Sequence, residues 1–182
     1  ISFDATHKIR AFMVENPSKV TLDNPTWNID ETIYYEGEGV EVIGSIDLFK
    51  SLRPLLVALS SSDISSQNPE THSGLIIDAR GLNFDPLILP VIYSNDGSSL
   101  IHISGFSQQA AQQRLPFRYG TDPAHPLLIR HVGKKAATVR AGAITKGGLT
   151  IHPEDTALLP NELDLSAIAS YGRVAIIIDR VE

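Results

Sequence analysis

The sequence predicts an α+β fold: a mixed, mostly antiparallel sheet with a few short helices packed on it. Three observations carry this. Short runs rich in Ile, Val, Leu and Tyr recur between turn-forming residues throughout the chain. Segments of helical spacing are brief and separated by proline. The run Val174-Ala175-Ile176-Ile177-Ile178-Asp179 is nearly continuous apolar sequence, as in a central strand covered on both faces.

In order, Ile9 to Glu15 and Ile33 to Glu36 read as strands set between Asn-Pro turns at Asn16-Pro17 and Asn24-Pro25. Val40 to Ile46 has partial two-residue alternation and runs into Leu48, Leu52, Leu55, Leu56 and Leu59 at helical spacing. A strand followed by a short helix fits, with Pro54 either breaking that helix or turning it into a loop. Residues Ser60 to Ser73, rich in Ser, Asn and Pro, read as a flexible surface loop. Leu75 to Ala79 reads as a buried strand, and Val91-Ile92-Tyr93 with Leu100 to Ile103 as a β-hairpin around Asn95-Asp96-Gly97. Ser107 caps a helix through Arg114 that Pro116 stops. Leu127 to Val132 and Ala137 to Ile144 read as two strands joined by a turn at Gly133-Lys134-Lys135. Pro153-Glu154-Asp155 starts a helical turn with acids at its N-terminus, and Pro160 ends it.

The 182 residues suit one domain, with residues 1–60 as a more variable N-terminal part. A hydrophobic content of 42% and a charged content of 20% exclude a chain that is unfolded throughout. The net charge of -6 comes without charged blocks, and Lys and Arg stand singly apart from Lys134-Lys135, so the spacing gives no footprint for nucleic acid. The absence of cysteine removes thiol nucleophiles, disulfides and Cys-type zinc sites. Ile1 is not a start residue, and we expect an upstream segment: a signal peptide, a lipoprotein leader, further domains or a tag. No apolar run approaches the roughly 20 residues that span a bilayer.

The chemistry-bearing residues point away from catalysis. Gly105-Phe106-Ser107 stands where a hydrolase nucleophile elbow would, but Gln109 replaces the second glycine, and Ser107 reads as a helix cap. The histidines His7, His72, His102, His125, His131 and His152 lack metal-ligand spacing. Gly37-Glu38-Gly39 with Gly44 does not match a dinucleotide fingerprint and reads as a bulge or flexible strand. Asp78, Arg80 and Gly81 close a buried strand, either as a charge pair fixing a turn or as part of a binding site. No catalytic, cofactor-binding or metal-binding residue is expected, and no cofactor.

Residues Thr71 to Leu82, with Gly74-Leu75-Ile76-Ile77-Asp78-Ala79-Arg80-Gly81-Leu82 at their centre, are followed by Pro86-Leu87, Pro90 and Asn95-Asp96-Gly97. Then come Asp122-Pro123, His125 to Ile129, Ile151 to Asp155 and Gly172 to Asp179, in that order. Over about residues 71–182 the chain resembles the FlgP-type flagellar and outer-membrane lipoproteins of bacteria. The resemblance implies a periplasmic or outer-membrane-associated structural protein, often lipid-anchored upstream, that assembles around the flagellar motor or elsewhere in the envelope and has no assigned catalytic residues. The expected partners are envelope proteins or further copies of the chain, with contact to a membrane only through an upstream anchor. The alternative is a periplasmic module binding glycan or peptide through Trp27, Tyr34, Tyr35, Asp78 and Arg80.

Overall fold

The computed structural model describes residues 27–35, 39–61, 72–156, 159 and 164–179. The expected strand at Ile9 to Glu15, both Asn-Pro turns, Pro160 and most of the Ser60 to Ser73 loop lie outside the described residues.

Strands β1 (Trp27–Tyr35) and β2 (Gly39–Ile46) form a two-stranded antiparallel sheet. Its register shifts between Ile29 and Glu31, opposite Gly44 and Ile43, so the extra residue of the bulge is Asp30 on β1, while Gly37 and Glu38 lie outside the described residues. Helix α1 (Leu48–Leu59) follows, its N-terminus held by Asp47, which accepts the Lys50 amide at 2.9 Å. The helix runs through Pro54 without breaking. Lys50 and Pro54 are both exposed on one side, so water can satisfy the Lys50 carbonyl that proline leaves unpaired. Leu52, Leu55 and Leu56 on the other side are buried against Ile103, Phe106, Ala110 and Ala111.

A seven-stranded sheet makes up the rest, in the order β5 (Ser99–Ile101), β4 (Val91–Tyr93), β8 (Gly148–Ile151), β7 (Ala137–Thr145), β3 (Leu75–Asp78), β9 (Val174–Ile177), β6 (Phe117–Gly120). The fold is α+β, as expected, but the sheet is not mostly antiparallel. Of its six pairings, β3 with β7, β3 with β9, β6 with β9 and β4 with β8 are parallel, and only β4 with β5 and β7 with β8 are antiparallel.

The cause is local. Leu127 to Val132, expected as a strand, is helix α3 (Pro126–Val132). Pro126 opens its first turn with φ already set, the His125 ring accepts the Leu127 amide at 3.3 Å, and Gly133 at φ 86° ends it. A helix here turns the expected hairpin into a crossover from β6 to β7, and a crossover delivers strands in parallel. The anticipated β-hairpin forms between β4 and β5, although Ile103 leaves it for a 3₁₀ turn (Ile103–Gly105). Ser107 caps helix α2 (Gln108–Ala111), which ends well before Arg114. Helix α4 (Pro153–Thr156) is the predicted helical turn. Strands β6 and β8 and helix α5 (Leu165–Tyr171) had no counterpart in the sequence reading.

Strand β9 is buried on both faces, as its apolar run predicts. Ile76, Ala175 and Ile177 pack on Leu128 and Val132 of α3. Leu75, Ile77, Val174 and Ile176 face the larger core, which includes Ile168 and Ala169 of α5. Each fully buried Ile or Leu contributes roughly 1.5–3 kcal/mol, so these two layers fix which way every strand faces.

Candidate functional site

The parallel strands β6, β9, β3 and β7 run in one direction, and their carboxyl ends bring charged residues together. Asp78 ends β3, and Arg80 turns back onto it with Nε donating at 2.8 Å and a terminal nitrogen at 2.5 Å, one to each carboxylate oxygen. The Arg80 amide donates to Asp78 as well, at 3.2 Å. The hydrogen bond from the Arg80 side chain holds the Asp78 carboxyl below its ordinary range, against partial desolvation. The same bond raises Arg80, whose positive charge also feels Asp179 and Asp122. Gly81, at φ +80°, donates its amide to both oxygens of Asp179 at 3.1 and 2.9 Å. The strand ends are thus tied across β3 and β9 by a carboxylate on a backbone amide.

On the far side of β3, Arg140 of β7 stands in register with Asp78. Its amide and guanidinium hold Asp155 at 2.6, 2.8 and 3.1 Å, and a terminal nitrogen reaches Glu154 at 2.8 Å. Hydrogen bonding to Arg140 pushes Asp155 down to about 2 and lowers Glu154, while these acids raise Arg140. These bonds anchor α4 to the sheet.

The three expected residues Asp78, Arg80 and Gly81 therefore come together, with Asp78 and Arg80 as a charge pair at the turn. The partner the sequence reading missed is Asp179. A signal for it was present: Leu75-Ile76-Ile77-Asp78 and Ile176-Ile177-Ile178-Asp179 are near-repeats, two apolar runs each closed by an aspartate. The side chains of Trp27, Tyr34 and Tyr35 lie outside the described residues.

Other singled-out residues have structural duties. Ser107 is buried, and its Oγ accepts the Ala110 amide at 3.2 Å, which makes it the helix cap it was read as. His102 and His125 use ring nitrogens to accept the amides of Ser104 and Leu127. Asp96, drawn down to about 2 chiefly by the Ser94 hydroxyl with help from Ser98, stitches the hairpin turn. His7 lies outside the described residues. Among the described residues, no group of three His, Asp or Glu is arranged to hold a metal ion, and no helix is long and apolar enough to cross a membrane.

Residues 74–180 match the family model described as the second domain of Treponema pallidum Tp0624. The chain belongs to that family. The matched span contains the whole seven-stranded sheet of this member of the Tp0624 second-domain family and both tied strand ends, whereas β1, β2 and α1 precede it. The matching model is not that of the FlgP-type lipoproteins. No curated protein matches the chain.

Proposed function

We propose that the chain is a non-enzymatic structural or assembly component of the bacterial envelope, periplasmic or outer-membrane-associated, that self-associates or docks a protein partner. The observation that supports this reading most is the open sheet. It ends on β5 at one side and β6 at the other, and among the described residues each has a strand neighbour on one side only. Open edges offer main-chain groups to a further strand, one established way in which a sheet recruits a partner. The polar groups at the candidate site are engaged with one another and with backbone, which suits a scaffold held in one shape. The finer reading, a part in the flagellar motor, rests on the resemblance to the FlgP-type lipoproteins.

Light scattering across a concentration series tests the association. A molar mass that grows with concentration, and that falls back when Ser99→Lys places a charge on the exposed edge of β5, is the expected result. A strict monomer at every concentration, with no envelope protein captured by crosslinking in the host cell, would overturn the reading. Basal-body proteins among the crosslinked partners would support the flagellar version, and their absence beside other captured proteins would remove it.

A further inference from the structure

The amino ends of the same strands carry an opposite charge. Arg173 immediately precedes β9. The register of Phe117 with Val174 places Pro116 beside Arg173, and the approach is close enough that a Cβ on Gly172 would lie 2.9 Å from the Pro116 Cα. Arg114 stands two residues before that proline and Arg118 two after it. Arg118 is in register with Ala175, whose side chain faces α3, so Arg118 lies on the α3 side of the sheet.

On α3, His131 is buried and its Nε2 sits 3.1 Å from the Val174 carbonyl. Arg118 and Arg114 both act on it electrostatically. Arg114 is partly buried and lies within the fields of Arg173 and Arg118. Arg173 reaches the Ser73 carbonyl at 3.4 Å, and Lys135 is joined to Ser73 by its backbone. Among the described residues, no carboxylate lies within ion-pair distance of Arg114, Arg118 or Arg173. The contrast with Arg80 and Arg140, each matched by acids, is complete.

Like charges gathered at a partly desolvated surface repel one another, and an anion that joins them relieves the repulsion. Three guanidinium forks suit a tetrahedral oxyanion of more than one charge, since each presents paired donors to oxygen. We propose that Arg114, Arg118 and Arg173 form a binding site for a phosphate group at the amino ends of β6 and β9, with His131 beneath it as a reporter of occupancy. The pairing of β6 with β9 sets Arg118 and Arg173, distant in sequence, at one end of the sheet, and Arg114 stands in the segment that leads into β6.

The proposal goes beyond the assembly reading, because a strict monomer would hold the site equally well. It is tested by calorimetric titration of the full chain with pyrophosphate and with inorganic phosphate at low ionic strength, run beside NMR observation of the His131 ring. Saturable binding with one site per chain is expected, weakened at least tenfold in Arg114→Gln/Arg118→Gln and unchanged in Arg53→Gln on the exposed face of α1. Saturating pyrophosphate should also move the His131 titration to higher pH in the unmodified chain, which keeps the test independent of how the variants fold. Absence of binding heat together with an unmoved His131 titration would overturn the proposal. So would equal affinity in a folded double variant, which would mean that the anion binds elsewhere.

Discussion

Gly81 and Gly172 both hold positive φ, at +80° and +60°, but their surroundings differ. A Cβ on Gly81 would meet nothing within 4 Å, so Gly81→Ala isolates backbone strain. It should lower stability by about 1–2 kcal/mol in urea denaturation while leaving the Asp179 tie intact. At Gly172 the added carbon would collide with the Phe106 ring and with Pro116 as well. Gly172→Ala should therefore cost clearly more, about 3 kcal/mol or above, because overpacking adds to the strain. If the two variants proved equally stable, the close packing of Phe106 on Gly172 would be wrong. The comparison also shows why part of the candidate site was legible. Asp78, Arg80 and Gly81 sit within four positions, and their turn chemistry can be read directly. Asp179 completes the same turn from a position 98 residues away, through a pairing that no local pattern reveals.

At the scale of elements, legibility followed how much of an element's stability is local. Strands β3 and β9 were readable because a continuous apolar run between polar ends fits a strand covered on both faces. The β4–β5 hairpin was readable from its Asn-Asp-Gly turn. Helix α3 was misread because the six residues Leu-Leu-Ile-Arg-His-Val are too few to show a decisive period, and its Pro126 start signal outweighs the β-propensity of Ile129 and Val132. Strand β6 escaped notice because Phe117-Arg118-Tyr119-Gly120 is too short to show alternation, and its edge position is set by pairing with β9. Helix α1 shows the reverse case, in which amphipathic spacing prevailed over a proline. Since Leu56 is fully buried among Ile103, Phe106 and Ala111, Leu56→Ala should cost about 2–5 kcal/mol. Pro54→Ala, on the exposed side, should raise stability instead by up to about 3 kcal/mol. Thermal and urea denaturation of the two variants side by side would check both signs. A neutral Leu56→Ala would mean that the apolar layer beneath α1 does not depend on the helix.

For the whole molecule, the ionisable groups on one sheet predict a stability curve with two acid limbs. His131 is buried beside the carbonyls of Val174 and Pro116 and faces Arg118 and Arg114, and burial foremost, then Arg118, pushes it down to about 4. Its folded value lies below the ordinary 6.5, so between those values the unfolded chain takes up a proton that the folded chain refuses. Stability should be full above about pH 6.5 and fall by about 3 kcal/mol as pH drops to about 4, with no further loss from this group below that. The second limb belongs to carboxylates. Asp78, Glu154, Asp155 and Asp96 are all lowered by hydrogen-bonding partners, so their contribution is present above the ordinary carboxylate range and is lost as pH falls toward about 2. Urea midpoints measured from pH 8 to pH 2.5 separate the two. His131→Gln keeps a donor for the Val174 carbonyl but does not titrate, so it should flatten the upper limb and leave the lower one. An upper limb of unchanged slope in that variant would show that another group carries it, and would remove His131 from the acid response of the fold.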